Sequence, residues 1–216
     1  MEVREISSKI AIQFLLPKHY SWRVPNISKA FWWYKDWELV AVCTFWKPAS
    51  PALCVWVCWA QWKDNVYELN RLCRVDELKE QLSEFVWECL RRLKDKDRII
   101  VSYSDTAMNH HWYIYQATNF IYTWATKQRT DMYTPDGKHS RHYKHEEQTW
   151  LRKVRSSKHR YIYFCSYDKE LKNHRLSNLK YPIMKYPKWD NSNYVLWNYI
   201  KDILVPDKWY LNINNK

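Results

Sequence analysis

Apolar and polar positions divide the chain into short elements. Residues 7–19, SSKIAIQFLLPKH, place apolar side chains at helical spacing behind a serine cap, and Pro17 ends the pattern. Residues 28–46 predict a β-hairpin, with one apolar run on each side of a turn at Asp36 and Trp37. LCVWVC at 53–58 predicts a further strand, and DNVYELNRLC at 64–73 alternates like another. The clearest helix is 76–94, acidic at its start and basic at its end, with Leu78, Leu82, Phe85, Val86, Cys89, Leu90 and Leu93 forming its apolar side. RIIVSYSD at 98–105 predicts a buried strand with a polar end. Residues 110–120 predict a short helix and IYTWAT, 121–126, a strand. The order is that of a mixed α/β fold with an antiparallel start.

Past residue 126 the pattern changes. Residues 127–160 are basic and loop-like, and hold Gly137, His139, His142, His145 and the run LRKVRSSKHR. YIYFC at 161–165 predicts a strand, and the tail is rich in Tyr, Pro and Asn. No internal repeat is visible. This organisation suggests one main domain over 1–165, whose basic segment is 127–160, and a C-terminal extension over 166–216.

Composition changes the picture at one point. The chain has one Gly and 15 Trp in 216 residues. An ordinary chain has about 7% Gly, roughly 15 at this length, so the two counts look exchanged. A two-residue hairpin turn needs residues that reach positive φ, and a bulky Trp37 is ill suited to it. Trp46 before Lys47-Pro48, Trp124 in IYTWAT and Trp189 in PKWDN also stand where glycine fits better. Most of these tryptophans are therefore expected to be glycines decoded under the wrong table, Trp62 and Trp209 excepted.

The charge of +12 and an isoelectric point near 9.3 point to a polyanionic partner. The cysteines at 43, 54, 58, 73, 89 and 165 sit mostly in apolar runs, as reduced intracellular core residues do. Cys54 and Cys58 have no second pair at zinc spacing. The charged start MEVREISSK has no signal-peptide pattern, and no run of about 18 apolar residues exists. A cytoplasmic protein is expected.

Four places offer chemistry. His19 and Tyr20 follow the first helix, where an imidazole serves as base or ligand, or simply faces the helix dipole. In YELNRL, alternation puts Glu68 and Asn70 on one face and Tyr67, Leu69 and Arg71 on the other; Arg71 could grip a phosphate or carboxylate, or a salt-bridge partner. Asp105 ends a buried strand, where open α/β sheets bind ligands, although it or Thr106 could be a plain helix cap. Tyr115, one helical turn from His111 and Asn119, could donate a proton or pack on the sheet. Finally Arg152, Lys153, Arg155, Lys158, His159 and Arg160, with Ser156 and Ser157, suit phosphate contacts on nucleic acid or a solvated face.

Together DNVYELNRLC, VSYSDTAMNHHWYIYQATNFIYT and RKVRSSKHRYIYF resemble the Mom family of phage DNA-modification proteins, which are similar in fold to the Gcn5-related N-acetyltransferases. The family's helix motif has glycine where this chain has Trp112. The resemblance implies an acetyltransferase-like α/β (α+β) domain with a mixed, mostly antiparallel sheet. It implies transfer of an acetamido or methylcarbamoyl-type group to adenine N6 in DNA, as protection from restriction. It places function at His19, Tyr20, Arg71, Asp105 and Tyr115, with Tyr115 protonating the leaving group and Glu68 or Asp105 taking the amine's proton. A metal on His19 and Asp105 is open. RLCRVDELKEQLS lacks the glycines that cradle a coenzyme pyrophosphate, so the donor is acetyl-CoA or another activated acyl or aminoacyl carrier. The rival readings are a conventional N-acetyltransferase acting on a protein or small amine, and a non-catalytic DNA-binding protein.

Overall fold

The computed structural model describes residues 2–19, 23–35, 38–75, 81–108, 113–135, 150–193 and 204–206. Its strands are β1 Glu2–Glu5, β2 Lys29–Lys35, β3 Glu38–Trp46, β4 Val66–Arg74, β5 Arg98–Asp105, β6 Ile121–Ala125, β7 Arg129–Met132, β8 Leu151–Arg155, β9 Lys158–Cys165 and β10 Leu204–Pro206. Its helices are α1 Ser8–Lys18, α2 Pro51–Val57, α3 Leu82–Arg92, α4 Tyr113–Ala117 and α5 Lys169–Ser177. Contacts divide the chain into two units, residues 1–104, 111–124 and 160–186, and residues 105–110, 125–159 and 187–216.

The first unit is built on a seven-stranded sheet in the order β1-β2-β3-β4-β5-β9-β6. β1 to β4 pair antiparallel, and β4 then runs parallel to β5. This is the mixed, mostly antiparallel sheet expected from the sequence. The expected hairpin is β2 and β3, whose register closes at Lys35↔Glu38 and so leaves a two-residue connection. Asp36 and Trp37 lie outside the described residues.

Helices cover both faces. Ser7 caps α1 by accepting from the Ile10 amide, and the i, i+3, i+4 set Ala11, Phe14 and Leu15 is buried. These pack with Ala30, Val42 and Cys73. α3 buries Leu82, Phe85, Val86, Cys89 and Leu90. Phe85 stacks on Trp33 at 6.2 Å. Alternation puts Trp33 on the opposite face of β2 from Ala30, so α1 and α3 sandwich the sheet. Each buried Leu or Phe contributes roughly 1.5–3 kcal/mol.

Three expectations need correction. LCVWVC is not a strand: it lies in α2, started by the Ser50 hydroxyl accepting from the Leu53 amide at 3.3 Å and by Pro51 in the first turn. A short apolar run has no period to separate the two forms, and the capping residues decide. Residues 127–160 are not all loop, since they contain β7, β8 and the start of β9. β1 was not expected, because Val3 is its one buried residue and no alternation shows in EVRE.

The second unit contains a three-stranded antiparallel sheet, β10-β8-β7. Its register runs Arg129↔Arg155 to Met132↔Arg152, and Leu204↔Lys153 to Pro206↔Leu151. No described helix is long and apolar enough to cross a membrane.

Candidate active site

The parallel β4–β5 ladder is short, Val66–Leu69 against Ile99–Ser102. The β3–β4 register shifts at the same place: Thr44 pairs with Arg71 and Phe45 with Leu69, so Asn70 is an extra residue in a bulge. The bulge corrects the face assignment made from alternation. Arg71 and Glu68 fall on one face, with Cys73 and Val66; Leu69 falls on the other. Asn70 is held in its bulge from two sides. Its Oδ1 accepts from the Thr44 hydroxyl at 2.6 Å and its Nδ2 donates to the Asn26 carbonyl at 2.8 Å.

Where the ladder ends, two hydroxyls meet. The fully buried Ser102 donates to Tyr115 Oη at 2.8 Å, and its Oγ lies 3.1 Å from the Leu69 carbonyl oxygen. One serine proton serves one acceptor at a time. When it goes to Leu69, the Tyr115 phenol can donate back to Ser102 Oγ. α4 delivers Tyr115 and is closed by Asn119 at φ 59, a left-handed residue that asparagine tolerates. The amides of Asn119 and Phe120 return to Gln116 and Tyr115 at 3.1 and 2.9 Å. The Tyr115 ring stacks on Tyr161 at 4.8 Å and meets the edge of Phe120 at 5.3 Å. Tyr161 is fully buried, its hydroxyl has no hydrogen-bond partner among the described residues, and burial pushes its phenol far up.

His19 is buried at the end of α1, its backbone amide closing on the Leu15 carbonyl at 2.8 Å. Tyr20 lies outside the described residues. Arg71 Nη1 donates to the Asn70 carbonyl at 2.7 Å.

Asp105 belongs to the second unit and makes its contacts there. Its Oδ1 accepts from the Ser156 hydroxyl and from the Ala107 amide at 3.0 Å, and Lys158 Nζ stands 3.5 Å from Oδ2. The Ala107 bond is the helix-cap role. The Thr106 hydroxyl donates to the Ser157 carbonyl at 2.8 Å.

The basic residues are largely engaged inside the protein. Arg152 donates to the Thr130 hydroxyl and carbonyl, both at 2.8 Å, and Arg155 pairs with Asp131 at 2.6 Å. Arg160 donates to Thr123 Oγ1 at 2.9 Å and lies 3.4 Å over the Tyr181 ring, and burial lowers its pKa. His159 has no exposed surface, and burial lowers its pKa to about 4. It is neutral at pH 7, so it is not a surface cation for phosphate. Lys153 sits in β8 opposite Asp131 and Leu204.

The cysteines that the structure describes are free and buried, and burial pushes Cys58 up to about 11 and Cys165 up to about 12. Neither is a ready nucleophile. Among the described residues no group of three or more His, Cys, Asp or Glu could hold a metal ion. A hollow of about 380 Å³ beside α3 has Ser83, Glu84, Trp87, Glu88 and Ala117 among its lining residues. Arg91 and Arg92 hold Glu88 below the usual carboxylate range.

Sequence reasoning missed Ser102 and Tyr161. Ser102 lies 13 residues from its phenolic partner, and no local pattern signals that meeting.

Solved structures similar to this one include acetyltransferases. One from Bacillus subtilis, in complex with CoA, is 14% identical with a TM-score of 0.45, over 76% of this chain and 96% of that one. A GNAT family acetyltransferase from Elizabethkingia anophelis with acetyl-CoA bound is 10% identical at TM-score 0.48, over 76% and 97%. The ribosomal-protein-S18-alanine N-acetyltransferase from Escherichia coli is 11% identical at 0.45, over 78% and 96%. Comparison with curated proteins finds no match. The fold is a mixed α/β domain with a mostly antiparallel sheet flanked by helices. The Mom protein family matches residues 1–188, and the chain belongs to that family.

Proposed function

We propose that this protein is a transferase that modifies phage DNA, placing an acetamido or methylcarbamoyl-type group on adenine N6 and so shielding the DNA from restriction endonucleases. It would act in the cytoplasm of an infected or lysogenic bacterium. The observation that carries the reading is the Ser102–Tyr115 hydroxyl pair at the end of the β4–β5 ladder, in a chain of the Mom family.

A gap between two strands is open to both faces of a sheet. From one face Tyr115 delivers a proton to the group that leaves the acyl carbon, and Ser102 fixes the phenol's direction. From the other face Glu68 takes the proton lost by the adenine amine, and Arg71 offers a cation to the phosphate backbone or the donor. The amine attacks the activated carbonyl, the new C–N bond forms, the bond to the carrier breaks, and this step leaves an N6-acyl adenine; a glycyl donor would give an isomer of the acetamido product, which an atom-conserving rearrangement would complete. Oxyanion stabilisation would come from backbone N–H groups beside the central strands. The target amine is exocyclic, so the base must leave the stack or be single-stranded. The donor is an activated acyl or aminoacyl carrier.

The test is nucleoside mass spectrometry on DNA from bacteria expressing the protein, beside a Tyr115→Phe variant. A heavier deoxyadenosine with the parent, reduced about 10²–10⁴-fold in rate by the variant, supports the reading. Unmodified deoxyadenosine from folded protein, with acetylation of a protein or small amine in its place, would replace it by the conventional acetyltransferase reading.

A further inference from the structure

Backbone geometry separates the tryptophans into kinds. The described non-glycine residues at positive φ are Asn119 at 59°, Trp124 at 77° and Trp150 at 55°. Asn119 is a helix-closing residue of a type that tolerates this conformation. Tryptophan is not: its Cβ and bulk clash there, and the conformation is glycine's own. Trp124 occupies it within β6, where ordinary strand backbone has negative φ. It is 42% exposed and is not one of the buried core residues. The register Lys35↔Glu38 closes the β2–β3 hairpin over a two-residue connection, a length for which glycine is a preferred residue.

Two further observations agree. The indole nitrogens of Trp32 and Trp33 are buried without a hydrogen-bond partner among the described residues, although a buried indole N–H normally finds one. Trp189, in a turn, is 85% exposed, and Trp56 60%. Trp62 is different: it packs on the core cluster of Cys54, Val57 and Cys58 and meets His174 edge-on at 5.3 Å.

We infer that the source's own translation places glycine at positions 124 and 150, and with them at most of the 15 tryptophan positions, leaving Trp62 as tryptophan. The recognising partner is a glycine-charged tRNA that reads a codon decoded elsewhere as tryptophan or stop. The same gene in a host with the ordinary code would yield a truncated or overpacked chain, which confines the active enzyme to a host with the reassigned code.

Peptide mass spectrometry on protein from the source tests this directly. Tryptic peptides covering 99–127 and 145–152 report positions 124 and 150, and the peptide covering 36–63, uncut at Lys47-Pro48, reports position 62. Glycine at 124 and 150 is expected, and tryptophan at either overturns the inference. A second measurement uses recombinant protein and denaturant unfolding. Trp124→Gly and Trp150→Gly should each raise the folding equilibrium constant roughly two- to five-fold, because relieved strain outweighs the added freedom of the unfolded glycine. Trp62→Gly should lower it on the order of a hundred-fold. A fall at 124 and 150 like that at 62 would overturn the inference. Neither measurement depends on DNA modification, so the inference and the proposed activity fail separately.

Discussion

Removing one oxygen from Tyr161 should stabilise the protein. The Tyr161 hydroxyl is buried and unpartnered among the described residues, while its ring stacks on Tyr115 at 4.8 Å and contacts Tyr122 at 5.2 Å. Tyr161→Phe keeps both ring contacts and removes only the unsatisfied group. A hydroxyl taken out of water without a hydrogen bond costs about 1–3 kcal/mol, so the variant should gain about that much. For a chain of this size each kcal/mol moves the thermal midpoint by about 2–4 °C. Circular dichroism melts and urea titrations of parent and variant read the change, with an unchanged m-value showing that the native and unfolded states are otherwise the same. A lower midpoint would refute the reasoning, since it would mean the phenol has a partner, such as water or a residue outside the described set. A stable variant that no longer modifies DNA would refute it differently, by giving the oxygen a chemical role beside Tyr115.

His159 makes stability depend on pH. Its pKa is lowered from 6.5 to about 4 by burial, so between these values the unfolded chain binds the extra proton. Stability from this group is complete above about pH 6.5 and is lost as pH falls towards 4, by about 3 kcal/mol at most; subtracting the unfolding curve of His159→Gln from that of the parent isolates the effect, and an equal slope in both would refute it. Asp168 caps α5 by accepting from the Glu170 and Leu171 amides at 2.8 and 3.1 Å. Asp168→Ala should destabilise by about 1 kcal/mol in the same titrations.

Much of the first unit was legible because its elements carry strong local signals. α3 announced itself through a full apolar stripe between an acidic and a basic end, β5 through an unbroken apolar run, and the β2–β3 hairpin through two such runs around a short turn. α2 was illegible by period, since seven residues hold fewer than two helical turns; Ser50 and Pro51 held the information. β7 and β8 were hidden because neither buries a full face: Arg129, Thr130 and Asp131 pair with Arg155, Val154 and Lys153 in a ladder in which Val154 is the one apolar side chain of the six. The basic segment also shows why net charge does not identify contacts. Its cations were visible, but their partners Thr130, Asp131, Thr123 and Asp105 lie 22 to 53 residues away in the chain, beyond any local pattern.

The residue that broke the reading of β4 is the one that organises the candidate site. Strict alternation pairs Glu68 with Asn70 and sends Arg71 to the opposite face. One extra residue reverses everything beyond it, because side chains change face at every step. With Asn70 inserted, Glu68 and Arg71 share a face, while Leu69 and Ser102 pair on the other and meet Tyr115 there. An uninterrupted β4 would keep Arg71 away from Glu68. Deleting Asn70 should therefore leave Arg71 on the face of Glu68, because Arg71 would then follow Leu69 directly, and should cost only the bonds that hold the bulge; drawing Asn70 into a regular ladder is what would turn Arg71 to the face of Leu69 and the Ser102–Tyr115 pair. The irregularity is held by bonds from Thr44 and to Asn26, which makes it a built feature of the strand and the reason two opposed sets of polar groups converge at the end of one short ladder.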